Sequence, residues 1–222
     1  MSRPFMPKRL GGTAGLTGLA YVTTFKDSSR STGALALPGG LLAGDIVIIC
    51  DRRSFNSSQN QTDPPSTYSS LYRVYNSGRT ACYSFSYRIL DGTETEIPAY
   101  SGAGFLGSRR NCFVYRPAGL LSGVAVLGAG AERTDGNPSA ITVPCSASAS
   151  FTIAVAQYGC DGSGGAINPR TFTGATPDAE STIQVYNYAK AAGQAAPASN
   201  VTVDMDDEGN GNQIVGFYIE LT

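Results

Sequence analysis

Leu37–Asp51, LPGGLLAGDIVIICD, is the stretch whose reading decides the fold. A turn on Pro38, Gly39 and Gly40 leads through Leu41 and Leu42 to a second break at Ala43-Gly44. Ile46-Val47-Ile48-Ile49-Cys50 follows, set between Asp45 and Asp51. A short, β-branched apolar run bounded by turn signals predicts a strand buried on both faces. Asp45 stands where a turn or strand-entry hydrogen bond is made.

Outward from this stretch the chain reads as strands throughout. Gly18–Phe25 precedes it, followed by a Ser-rich turn over 26–32. After it, 52–70 reads as a polar loop of about nineteen residues containing Pro64-Pro65, a length that marks interaction surfaces in compact domains. Phe55, Tyr68 and Tyr72 are the candidate contact residues there, with Tyr75 nearby. Leu71–Tyr75 and Ala81–Ile89 form a hairpin about 76–79. In the second of these strands Ala81, Tyr83, Phe85, Tyr87 and Ile89 share one face, expected to be core. Cys82, Ser84, Ser86 and Arg88 share the other.

Asp91-Gly92 ends that strand, and Glu94–Pro98 begins a short edge segment. Cys112–Arg116, Leu121–Leu127, Ala140–Val143, Ala147–Tyr158, Val201–Met205 and a last strand with Val215, Phe217, Ile219 and Leu221 inward complete the pattern. Pro177–Ala192 carries helix start and stop signals, but Ile183-Gln184-Val185-Tyr186 alternates, which favours a strand. Ten to twelve short strands without an internal repeat predict an all-β protein, a jelly-roll-like antiparallel β-sandwich over 17–222. Residues 1–16, with Pro4, Pro7, three basic side chains and Gly11-Gly12, read as an extended N-terminal arm suited to contact with a neighbouring subunit.

Composition narrows the function classes. Sixteen Lys plus Arg balance seventeen Asp plus Glu, so nothing electrostatic draws the chain to nucleic acid or an anionic membrane. No apolar run is long enough to cross a membrane as a helix. Cys50, Cys82, Cys112, Cys145 and Cys160 are odd in number and lack CxxC spacing, which predicts reduced, mostly buried thiols. The chain has no histidine, which removes Ser-His-Asp and Cys-His chemistry. Asp204-Met-Asp206-Asp207-Glu208-Gly209 begins like a calcium loop, but Val215 stands where the bidentate Glu is required. Asp91, Glu94 and Glu96 share a loop without catalytic spacing. Arg52-Arg53 and Arg109-Arg110 read as surface or inter-subunit pairs. No catalytic residue, metal site or cofactor is expected.

Leu37, Pro38, Gly40, Gly44 and Asp45, then Tyr87, Arg88, Asp91, Gly92 and Glu94, then Tyr115 and Arg116, form a spaced pattern. It reads L-P-x-G-x-x-x-G-D, then Y-R-x-x-D-G-x-E, then Y-R. In this it resembles a family of β-sandwich virion structural proteins of tailed bacteriophages and prophages. The resemblance implies a non-enzymatic structural part present in many copies, most often a tail or baseplate adaptor or fibre module. Its partners would be copies of itself and other virion proteins, and its location the virion, after synthesis in the host cytoplasm. Capsid decoration and a receptor- or carbohydrate-binding module, with a host surface glycan as partner, are the alternatives.

Overall fold

The structure, a computed structural model, describes residues 17–27, 29, 32–55, 64–75, 81–100, 105–119, 124–127, 140–143, 151–159, 169–173, 176–183, 187–195, 201–205 and 213–221. Among the described residues there are fifteen strands and no helix, hence none long and apolar enough to cross a membrane. The first half of the chain supplies β1 (Gly18–Asp27), β2 (Leu35–Ala36), β3 (Ile46–Phe55), β4 (Ser69–Tyr75), β5 (Ala81–Ile89), β6 (Glu96–Ile97) and β7 (Phe105–Ala118). The second half supplies β8 (Val124–Leu127), β9 (Ala140–Val143), β10 (Phe151–Gly159), β11 (Pro169–Thr173), β12 (Ala179–Ile183), β13 (Asn187–Ala195), β14 (Val201–Met205) and β15 (Gln213–Leu221).

All pairings are antiparallel. The first sheet runs β1-β7-β3-β5-β4 and the second β12-β13-β10-β15-β8; β11-β14-β9 and β2-β6 form smaller sheets. The apolar run therefore becomes β3, in the middle of the first sheet. Its side chains alternate between two cores. Ile46, Ile48 and Cys50 join Tyr83, Phe85, Phe113 and Tyr115 of the same sheet and Ile153, Val155 and Leu221 of the second. Val47 and Ile49 point the other way, into a cluster with Cys112, Val114, Tyr68, Leu90 and Ile97. Leu35, Leu37 and Leu41 pack over that second cluster, so the chain leading into β3 also roofs it. Each fully buried Ile or Val contributes on the order of 1.5–3 kcal/mol, which makes β3 the centre of the fold.

Two expectations need correction. The long polar loop over 52–70 loses both its ends to strands, because β3 continues to Phe55 and β4 starts at Ser69, with 56–63 outside the described residues. Asp51, Arg52 and Arg53 stay in the strand because the neighbouring strands offer them partners. In β5 Tyr83 and Phe85 are core as expected and Tyr87 is half-buried, but Ile89 on that face is exposed, and Cys82, Ser84 and Ser86 on the opposite face are buried. The region 177–192 is strand, divided into β12 and the start of β13, with 184–186 outside the described residues. Pro169–Thr173 is a strand that the alternation did not announce. Cys50, Cys82 and Cys112 are buried thiols outside any disulfide, as expected; Cys145 and Cys160, the arm and residues 206–212 lie outside the described residues.

Candidate functional site

The twelve residues of the spaced pattern meet at one end of the first sheet. Gly40 and Gly44 take φ values of +86° and +91°, which glycine adopts without strain, and so make the two breaks before β3. Asp45, fully buried, accepts the Leu42 N–H at 2.8 Å, while its own N–H donates to the Leu42 carbonyl at 3.1 Å. Gly44 N–H donates to Leu90 O and Leu90 N–H to Asp45 O, both at 2.8 Å, which extends the β3–β5 ladder past Ile46 and Ile89.

Arg116, at the end of β7, closes this turn from the other side. Its Nε and Nη2 reach the two Asp45 oxygens at 2.7 Å each, and Nη2 also donates to Gly40 O at 3.1 Å. That fork is the strong geometry for an arginine–carboxylate pair. The Asp45 carboxylate holds the Arg116 cation above its ordinary pKa by hydrogen bonding.

The second half of the pattern forms an adjoining turn. Glu94 accepts the N–H groups of Asp91 and Gly92 at 3.0–3.1 Å, and Arg88 pairs with the same carboxylate. Burial pushes the Glu94 carboxyl up, but these N–H donors and the Arg88 charge outweigh it and hold its pKa low. Asp91 accepts from Thr93 N–H at 2.9 Å and from its hydroxyl at 2.6 Å, which lowers its pKa. Gly92 has φ +93°, and a Cβ there would lie 3.3 Å from the Ala43 Cβ, so the two turns are packed against each other. Tyr115 is buried in the shared core and donates its hydroxyl to Asp178 at 3.0 Å; its ring meets Tyr21 edge-on at 5.9 Å. Leu37 and Tyr87 pack against the two cores. The charged pattern residues thus bond one another and hold the corner together.

The opposite end of the same sheet holds what the sequence reading missed. Asp51 and Arg53, both 1% exposed, form an ion pair on the outer face, and Ser108 donates to Asp51. Tyr100 lies between two guanidiniums, with Arg53 4.2 Å and Arg110 5.4 Å from its ring centroid. Arg110, with no exposed surface, pairs with Asp27 at 2.6 Å and donates to Gly33 O at 2.8 Å. Burial works to raise the Asp27 pKa, and hydrogen bonds from Ser29 and Arg110 bring it below its ordinary value.

On the inner face Arg52 donates to the Tyr83 hydroxyl at 3.1 Å, and Ser181 of the second sheet donates to Asn111 at 2.7 Å. The arginine pairs expected at the surface or between subunits are therefore buried within the chain. The pairing of β3 with β7 sets Asp51 opposite Arg110 and Arg52 opposite Arg109. The signal that could have revealed them was the Asp51–Arg53 spacing, which puts both charges on one face of a strand.

Of the candidate contact residues, the one whose side chain is described does not offer an exposed aromatic surface. Tyr68 is 6% exposed, its ring packed in the outer core, and burial pushes its hydroxyl pKa up. Phe55 ends β3 and Tyr72 lies within β4, paired with Phe85; their side chains are outside the described residues. Burial also raises the thiol pKa values of Cys50 and Cys112, which keeps both protonated. Among the described residues no group of three or more Cys, Asp and Glu side chains could hold a metal ion. In comparisons with protein-family models, curated proteins and solved structures, nothing matches the chain.

Proposed function

We propose that the chain is a non-enzymatic structural protein of a tailed-phage virion, present in many copies, as an adaptor or fibre module of the tail or baseplate. Its two five-stranded sheets act as the layers of a β-sandwich that share the core around Ile48 and Ile153. Each layer comes from one half of the chain, whereas a jelly roll alternates successive strands between layers. The sandwich therefore belongs to this reading and the jelly-roll connectivity does not.

The observation that carries the reading is the corner. The pattern that resembles the virion family consists of residues whose polar groups are spent on holding turns, as a structural motif requires and a reaction site does not. The candidate glycan platform is weakened by the burial of Tyr68. In this reading the N-terminal arm anchors each copy to its neighbours. Deleting Met1–Gly12 in the encoding genome leaves a folded monomer that no longer joins the particle. Unchanged incorporation, measured by mass spectrometry of purified particles, overturns the anchor role. Saturable binding of the isolated protein on a glycan array overturns the purely structural assignment.

A further inference from the structure

The described part of the molecule exposes three large apolar side chains, and all three lie at the corner: Tyr21 at 37%, Leu42 at 55% and Ile89 at 40%. Tyr21 and Ile89 end one cross-strand row, Tyr21–Tyr115–Ile46–Ile89, about 14 Å wide at the usual strand spacing, whose two middle members are buried in the shared core. Leu42 stands in the turn that feeds Ile46.

The corner also carries an excess of negative charge. Its described ionic groups are Arg88 and Arg116 against Asp45, Asp91, Glu94, Glu96 and Asp178, a formal charge of −3. Both arginines are engaged with Glu94 and Asp45, and Arg88 also reaches Asp91 at 3.5 Å, while the Asp91 and Glu96 residues are exposed to solvent.

Residues 1–16 have the complementary character. Arg3, Lys8 and Arg9 are their only charged side chains, a formal +3, interspersed with Phe5, Met6 and Leu10. They join the fold at this same corner, where Thr17 N–H donates to Ala118 O at 2.7 Å. From Thr17 back to Lys8 the chain can span about 30 Å when extended, twice the width of the row.

We infer that the corner is the acceptor for the N-terminal arm of a second copy of this chain. Apolar arm residues cover Leu42, Ile89 and Tyr21, and Lys8 and Arg9 lie against Asp91 and Glu96. This rests on the multi-copy reading above and names the surface through which it works. Covering exposed apolar area supplies the affinity, and the opposite charges set the register and a dependence on salt.

The test uses the full chain, prepared in normal and 15N-labelled form, mixed, and coupled with a zero-length carbodiimide that joins amines to carboxylates. Mixed-isotope links from Lys8 to Asp91 or Glu96 are expected. Leu42→Glu and the pair Lys8→Glu, Arg9→Glu should each weaken self-association about tenfold or more in sedimentation equilibrium, in line with losing one buried leucine or two ion pairs. Leu42 is exposed, so its variant should keep the wild-type unfolding midpoint. Links confined to one isotope place the arm on its own corner and overturn the exchange. Association that persists in Leu42→Glu without these links overturns the corner as acceptor and leaves the multi-copy reading standing. A chain that stays monomeric at every concentration and forms no links overturns both.

Discussion

The two ends of the first sheet use charge in opposite ways. At the corner, Asp45 and Glu94 take backbone N–H groups from turns, and Arg116 and Arg88 clamp them from partly exposed positions. At the far end, Asp51, Arg53, Arg110 and Asp27 are buried among neighbouring strands, with Tyr100 between the two cations. The corner's charges fix where the chain turns. Those at the far end hold strands already in register. A carboxylate among turn amides remains partly satisfied when its arginine is lost, whereas a buried ion pair that loses one member leaves a charge stranded in low dielectric.

The largest effect should follow from Arg110→Met, which leaves buried Asp27 with only its Ser29 donors and removes a donor from Gly33 O: a loss of about 3 kcal/mol in urea-unfolding free energy. Adding Asp27→Asn should recover part of it, and a double variant no better than the single would break the contrast. Asp45→Ala should cost about 2 kcal/mol, since it leaves the Leu42 N–H and the Arg116 fork without their acceptor. Gly92→Ala should cost about 1–2 kcal/mol, from positive φ and the approach to Ala43. Gly40→Ala meets open space and should cost less, so equal melting shifts for the two would remove the argument that the turns are packed together.

Acid should act on both ends in the same direction. Asp27 and Glu94 have folded pKa values below their ordinary 3.8 and 4.5. Their contribution is therefore complete above about pH 4.5 and falls away as pH drops through the lowered folded values. A fluorescence-monitored titration from pH 6 to pH 2 should show stability declining only below that point. In Glu94→Gln the decline should be shallower.

The corner was legible in the sequence because turns constrain residue identity. Gly40, Gly44 and Gly92 must tolerate positive φ, and Asp45 must reach an amide three residues back, so the spacing betrays the geometry. β3 was legible because an unbroken β-branched run has few other homes. The far end was not, because burial of Arg53 or Arg110 depends on which strand lies opposite, and that register joins residues nearly sixty positions apart. Local polarity argued for a loop over 52–70, and tertiary pairing overrode it. Tyr68 misled for the same reason: its neighbours in sequence are polar, but its neighbours in space are Ile49, Leu90 and Ile97.

The last strand carries a consequence for synthesis. β15 ends at Leu221 and sits between β10 and β8, inside the second sheet rather than at its edge. The first sheet can close as soon as Ala118 has left the ribosome, since β1 pairs with β7 and nothing beyond it. Its inner face, with Ile48, Phe85 and Phe113, must then wait for Ile153, Val155 and finally Leu221 to cover it. Until those residues have emerged, a nascent chain displays a finished sheet with a bare apolar side, the kind of surface that chaperones retain and that drives aggregation.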